Sequence, residues 1–252
     1  MDGTLTPSRK LMSHGMAKKI GELSRKFDVG IVTGSGLNYI LEQCSILKET
    51  FEIDWERIYL LPCNGTQLYR MNKGEPVQVF SADMKETIGE DVYKSLVAKL
   101  CYEQTVFSSN LGDLSIFGTF IQYRKSLLNW CPIGRDSDYD TNAREKFVNF
   151  DRNTGFRLNA LSDLENYFEK NSIEGLTIVL GGDTSFDIYP NGWDKTYALK
   201  HFSTKDKIVF VGDRCQNNGN DQTIYEACLP DAYETTGPDN TIELIQQFLD
   251  ES

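Results

Sequence analysis

Carboxylates, hydroxyls and one lysine recur in this 252-residue chain where buried strands would end, a pattern suited to binding phosphate together with a hard cation. The amino terminus reads Met1-Asp2-Gly3-Thr4-Leu5-Thr6-Pro7, which by itself is a turn with an Asx motif. Downstream, Val32-Thr33-Gly34-Ser35 sets two hydroxyls at a strand end, beside a helix start whose free N–H groups attract phosphate. Asp194-Lys195 supplies a cation at another helix start. Val211-Gly212-Asp213 puts a carboxylate just past a buried strand, followed by Asn217-Asn218-Gly219-Asn220-Asp221. Ligands of open parallel sheets gather beyond the carboxyl ends of the strands, so these groups together form a candidate magnesium and phosphate site.

The elements that must position them follow from periodicity. Val29 to Thr33 and Ile58 to Leu61 read as short buried strands, and Ile208 to Val211 as a third. Met12 to Lys26 reads as an amphipathic helix with Met16, Ile20 and Leu23 on one face. Leu37, Ile40, Leu41 and Cys44 give a second helix, Asp194 to His201 a third, and Ile242 to Leu249 closes the chain with another. Helix–strand alternation of this kind signals a parallel α/β sheet. The middle has another texture. Lys85 to Tyr102 is expected to be one helix, Ser115 to Trp130 antiparallel strand, Ala143 to Lys170 helical, and Leu176 to Leu180 with Ser185 to Tyr189 a strand pair. The reading is a discontinuous α/β core over 1–79 and 189–252, with an inserted α+β cap over 80–188.

Composition narrows the classes of partner. A formal net charge of -11 argues against nucleic acid or an anionic membrane as the main partner, and an anionic ligand would need locally concentrated arginines. The six cysteines are scattered without a CxxC pair and there are two histidines, so free thiols are expected and a zinc site is not. No stretch reaches the ~20 apolar residues of a membrane span, and no apolar run follows a basic amino terminus. A cytoplasmic protein is the expectation.

The order of strand-end groups resembles the four motifs of the haloacid-dehalogenase superfamily: DxDGT, a strand-end Ser or Thr, a Lys, and a GD…ND segment. Two longer stretches narrow the resemblance. Gly118 to Arg124 (GTFIQYR) with Asn129 to Arg135 (NWCPIGR), and Gly181 to Tyr197 (GGDTSFDIYPNGWDKTY), are similar to signatures of the eukaryotic-type phosphomannomutases. Matches run from Asp2 to about Asp239. The fold this resemblance implies is a Rossmann-like parallel-sheet core with a cap, and the activity is interconversion of mannose 6-phosphate and mannose 1-phosphate. The route would pass through an aspartyl phosphate and a hexose 1,6-bisphosphate, which also serves as activator, with Mg2+ as cofactor. The product would feed GDP-mannose synthesis, and the assembly would be a homodimer through the cap.

Position by position, the resemblance makes Asp2 the general acid/base, which also offers its backbone carbonyl to magnesium, and Asp213 a side-chain magnesium ligand. Ser35, or Thr33 beside it, matches the hydroxyl that steadies the transferring phosphoryl, and Lys195 the cation that neutralises it. Arg9 matches a core-side arginine that reaches toward substrate. Arg124, Arg135 and Arg144 match cap arginines that hold the distal phosphate, although Arg144 lies two residues farther from Arg135 than is usual in the family. Ser185 and Asp187 match cap groups that bind sugar hydroxyls. The cap must close to keep water from the aspartyl phosphate.

Two departures stand out. The family's nucleophile is the first aspartate of DxDGT, and counting back from Asp2 reaches Met1. The expectation is that the true chain extends upstream, because omitting a central strand would cost roughly several kcal/mol in exposed edges and an opened core. The other reading is a protein without the nucleophile; as given, the chain is expected to bind sugar phosphate poorly and not to catalyse transfer. The second departure is Ala227 near the place of a carboxylate that serves a second cation, with Glu226 beside it. Two rival functions share the scaffold: a sugar-phosphate phosphatase, which would not need arginines suited to two phosphates, and a catalytically dead binding protein. Mannose and glucose phosphates share the 6-phosphate and differ only at C2, so both remain candidate substrates.

Overall fold

The structure is a computed structural model that describes residues 1–50, 53–137, 140, 142–217 and 219–251. The backbone divides into two compact units, Met1–Ala82 with Gly192–Ser252, and Asp83–Asn191. The divides fall at 82/83 and 191/192, not at the expected 79/80 and 188/189, because the strands flanking them run on to Ser81 and Pro190.

In the first unit, β1 (Val29–Val32) pairs in parallel with β2 (Ile58–Leu61), Val29 opposite Ile58 and Val32 opposite Leu61. An antiparallel hairpin of β3 (Gln67–Asn72) and β4 (Glu75–Ser81) extends this sheet to the order β1-β2-β3-β4. Alternation in β2 explains why it is buried on both sides: Ile58 and Leu60 join the core around β1, while Leu61 packs with Leu68 and Ala198. Helix α1 (His14–Ser24) starts where the Ser13 hydroxyl accepts from the Met16 amide at 3.2 Å. It buries Met16 and Ile20, four residues apart, in the same core as Ile245 of α8 (Pro238–Asp250). The side chain of Lys19 clamps the two helices, donating to Glu22 at 2.5 Å and Gln246 at 2.6 Å. A second parallel pair, β9 (Phe210–Gly212) and β10 (Ala232–Glu234), forms its own sheet. The short helices α2 (Leu37–Gln43) and α7 (Gln222–Ala227) follow β1 and β9. The segment Asp194–His201 is not an α-helix: Lys195–His201 winds as a 3-10 helix, started by Asp194, whose carboxylate accepts from the Thr196 amide at 2.8 Å.

The second unit is built on an antiparallel sheet in the order β5-β6-β8-β7, from β5 (Ile121–Tyr123), β6 (Leu128–Trp130), β7 (Leu176–Gly181) and β8 (Ser185–Pro190). Most of the stretch expected as strand over Ser115–Trp130 is irregular, with only β5 and β6 laddered. The helix expected over Lys85–Tyr102 is two helices that meet at Gly89, α3 (Met84–Ile88) and α4 (Glu90–Ser108). The helical run from Ala143 also breaks, into α5 (Ala143–Thr154) and α6 (Phe156–Lys170). Gly155 takes φ 66° and ψ 23° there, a left-handed conformation open to glycine at little cost. The Asp151 carboxylate spans the break, accepting the Arg157 amide and Nε, both at 2.7 Å. Phe107, Phe147, Phe150 and Phe156 pack together beneath Ile133. Trp130 is fully buried, stacked on Phe186 with ring centroids 4.7 Å apart, and its indole N–H donates to Gln104 at 2.8 Å.

Candidate active site

The strand-end loops of the first unit are tied to one another before any ligand is considered. Past β1, the Thr33 carbonyl accepts from the Asn64 amide at 2.7 Å and the Ser35 carbonyl from the Cys63 amide at 2.9 Å. Asn64 in turn donates its side-chain amide to the Trp193 carbonyl at 3.3 Å, two residues before Lys195. A Cβ on Gly65 would fall 2.5 Å from the Ala198 Cα, so the loop after β2 lies directly against the 3-10 helix that carries Lys195. Of the two expected hydroxyls, that of Thr33 is buried and accepts from the Ser35 amide at 3.2 Å, which turns it to its own loop. Ser35 is half-exposed.

Lys195 is buried and paired with the Asp221 carboxylate. The other Asp221 oxygen accepts from the Arg214 amide at 3.3 Å. Burial opposes ionisation of Asp221, but the charge and hydrogen bond of Lys195 outweigh it and hold the carboxyl below the usual range. Asp213, at the end of β9, accepts from the Thr4 hydroxyl at 3.0 Å. Gly3 lies against the same carboxylate at φ 72°, and a Cβ there would be 2.2 Å from Asp213 Oδ2. Met1 is buried, and its nitrogen lies within electrostatic range of Lys195, Asp221, Asp213 and Asp2. Three charged groups from two other stretches of sequence, Lys195, Asp213 and Asp221, thus converge on the turn 1–6 that carries Asp2. Burial, with the carboxylates of Asp221, Glu234 and Asp213 nearby, pushes the Cys215 thiol up to about 12. That thiol stays protonated and out of the chemistry.

Asp2 is held from two sides. Its Oδ1 accepts the Arg9 amide at 3.0 Å, and the Tyr39 hydroxyl of α2 approaches Oδ1 at 2.8 Å and Oδ2 at 2.9 Å. Burial, then the bond to Asp2, pushes the Tyr39 phenol well above its ordinary value. Arg9 enters through its backbone, at φ 57°, while its side chain is exposed.

In the second unit a polar cluster stands on the face of the sheet. Asn129 of β6 is buried and donates to Asp187 of β8 at 2.7 Å and to the Phe186 carbonyl at 3.3 Å. Arg135 reaches the Asn129 side-chain oxygen at 3.5 Å. The Ser185 hydroxyl donates to the Gly181 carbonyl at 2.6 Å, and a Cβ on Gly181 would sit 2.9 Å from Asp187 Oδ2. Arg135, Asp187 and Ser185 therefore come together. Arg124 sits in the turn between β5 and β6, where its Nε donates to Gln122 at 2.9 Å. Arg144 lies in the first turn of α5, and among the described residues no hydrogen bond joins it to the cluster. Glu226 accepts from Gln222 on the exposed face of α7, and Asn218 lies outside the described residues. Sequence reasoning gave no role to Thr4, Tyr39, Asn64, Asn129 or Asp221. Thr4, Asp221 and Asn129 had a signal, as members of quoted motifs.

Two parallel β-pairs with carboxylates, a lysine and hydroxyls at their carboxyl ends, and an α+β unit inserted in the chain, define the haloacid-dehalogenase fold. The same fold is found in IMP-nucleotidase from Plasmodium falciparum, with TM-score 0.65 and 15% identity over 100% of this chain and 65% of that one. A trehalose-6-phosphate phosphatase related protein gives TM-score 0.51 and 14% identity over 99% of this chain and 95% of the other. The profile of the eukaryotic phosphomannomutase family matches residues 16–251. Phosphomannomutases of Schizosaccharomyces pombe and Nicotiana benthamiana are each 33% identical to this chain, over 98% and 99% of it and 91% and 92% of their own length. The chain belongs to the eukaryotic phosphomannomutase family.

Proposed function

We propose that the protein is a phosphomannomutase, an isomerase that interconverts mannose 6-phosphate and mannose 1-phosphate and thereby supplies GDP-mannose synthesis. The observation that carries the chemical assignment is the convergence of Asp2, Asp213, Lys195 and Asp221 on the turn 1–6. Lys195, fixed by its pairing with Asp221, neutralises the equatorial oxygens of the transferring phosphoryl group, with Ser35 as hydroxyl donor. Asp2 takes the proton of the incoming sugar hydroxyl. Arg9 contacts the substrate from the first unit. Arg124, Arg135 and Arg144 bind the phosphate that is not reacting, and Ser185 and Asp187 bind sugar hydroxyls. A hexose 1,6-bisphosphate is both intermediate and activator.

Magnesium fits the donors present. No group of three or more His, Cys, Asp or Glu among the described residues could hold an ion, but magnesium takes only one or two carboxylates and completes its shell with water and phosphate. The Asp213 carboxylate and the Asp2 carbonyl would hold it, and when bound it offsets phosphate charge. All six cysteines are free thiols, and among the described residues no helix is long and apolar enough to cross a membrane, which supports the cytoplasm as the place of action. A homodimer through the second unit is supported by α4, which exposes Tyr102 and Val106 four residues apart.

The test uses the purified protein. With magnesium and a hexose 1,6-bisphosphate, mannose 1-phosphate is followed by phosphorus NMR. Mannose 6-phosphate should accumulate without inorganic phosphate, and chelation of magnesium or Asp2→Asn should stop it. Release of phosphate with no isomer formed would assign the phosphatase reaction instead.

A further inference from the structure

Tyr39 reaches Asp2 from an element that carries none of the expected site residues. It lies in α2, its ring packed at the edge of the core around β1, and its hydroxyl is within hydrogen-bond distance of both Asp2 oxygens. A carboxylate only accepts, so the phenol is the donor, and its single proton serves one oxygen at a time. The two oxygens are not equivalent. Oδ1 also accepts the Arg9 amide at 3.0 Å, so with Tyr39 it has two donors, the number its lone pairs can take. Among the described residues Oδ2 is approached by Tyr39 alone, which leaves a lone pair open.

We propose that Tyr39 is a positioning residue for the transfer step: with the Arg9 amide it fixes the rotamer of Asp2 so that Oδ2 is the oxygen that receives the proton. The inference rests on the phosphomannomutase reading. As the sugar hydroxyl attacks, its O–H bond breaks, the proton goes to Oδ2 and the electron pair enters the new phosphorus–oxygen bond. The bond from phosphorus to the leaving carboxylate breaks, and its pair stays on that carboxylate. The phenol keeps its own proton and donates it as a hydrogen bond to Oδ1 throughout, so Tyr39 neither gains nor loses a proton. A base held in this way needs little rearrangement to meet the hydroxyl, and geometry is the first requirement of general base catalysis.

Tyr39→Phe removes the hydroxyl and keeps the ring in the core. In the interconversion assay kcat should fall about tenfold, part of what a positioned base supplies, while KM for mannose 1-phosphate stays within about twofold. A crystal structure of Y39F should show the Asp2 carboxylate rotated away from its wild-type position, with the fold and thermal midpoint retained. An unchanged kcat, or a raised KM with kcat held, overturns the proposal. So does a Y39F structure in which Asp2 has not moved, even where the rate falls. A wild-type polypeptide that fails to interconvert the two phosphates overturns the functional reading itself; an active wild type matched by Y39F overturns only the role of Tyr39.

Discussion

Lys195 and Asp221 neutralise each other inside the first unit, whereas Arg135 of the second stands at the surface with an amide oxygen for its partner. Under the proposed function both regions would offer cations to an anionic ligand in a chain of net charge -11, yet they hold those cations by different means. The first locks its cation with a buried carboxylate, so the charge is placed at the cost of desolvating two ions. The second sets Asn129 as a neutral spacer between Arg135 and Asp187, and among the described residues the Arg135 guanidinium donates only to the Asn129 side-chain oxygen. A group that must stabilise charge in a transition state gains from being fixed. A group that must grasp and release a phosphate gains from being under-satisfied.

The strongest way to break this comparison is Lys195→Met. Removing one partner of a buried pair strands the Asp221 carboxylate, so urea denaturation should show a loss of about 3–5 kcal/mol, and interconversion should vanish. A loss below ~1 kcal/mol would mean the pair is not buried in solution, since exposed pairs contribute only that much. Arg135→Ala sharpens the other side. Stability should stay within about 0.5 kcal/mol, as for an exposed side chain, and calorimetry should find the same midpoint. Hexose bisphosphate should bind roughly tenfold or more weakly, from loss of charged hydrogen bonds of about 1.5–3 kcal/mol. Asn129→Ala should behave in the opposite way from Arg135→Ala. It leaves Asp187 and the Phe186 carbonyl short of a donor and should destabilise the fold by about 1–3 kcal/mol, read as a lower urea midpoint.

The smallest effect should appear in acid. The Asp221 carboxyl is held below its ordinary value, so its contribution to stability is whole above the unfolded value, about 4. It is lost as pH falls through the lowered folded value. Stability measured from pH 5 downward should therefore fall more steeply in the wild type than in Asp221→Asn, and equal slopes would remove Asp221 from the account.

Much of this was legible in the residues, and the parts that were not have physical reasons. Ile58–Leu61 and the β7–β8 pair were readable because short apolar runs bounded by turn residues have few other uses. The breaks at Gly89 and Gly155 were passed over because apolar spacing continues across them, and periodicity does not register one left-handed residue. The hairpin of β3 and β4 escaped because β4 is mostly exposed and shows no alternation of burial. In the site, Ser35 and Asp213 stood out through their place after strands, Lys195 through its place at a helix start, and Asp2 through its resemblance to the DxDGT motif. Tyr39 did not, since a tyrosine within a helix reads as packing until the fold brings its hydroxyl to a carboxylate that lies 37 positions earlier in the chain. Thr4 stood within a quoted motif, but its bond to Asp213 was not readable because that partner lies 209 positions away.

The stack of Trp130 on Phe186 has an optical consequence. The chain has three tryptophans, and Trp130 is the one that belongs to the second unit, while Trp55 and Trp193 belong to the first. Its indole is sealed from water and bonded to Gln104, so its emission reports on that unit's interior alone. With Trp55 and Trp193 replaced by phenylalanine, the protein carries its own fluorophore for one half of the molecule, and the melting of that half, followed by emission, can be set beside that of the whole chain, followed by ellipticity.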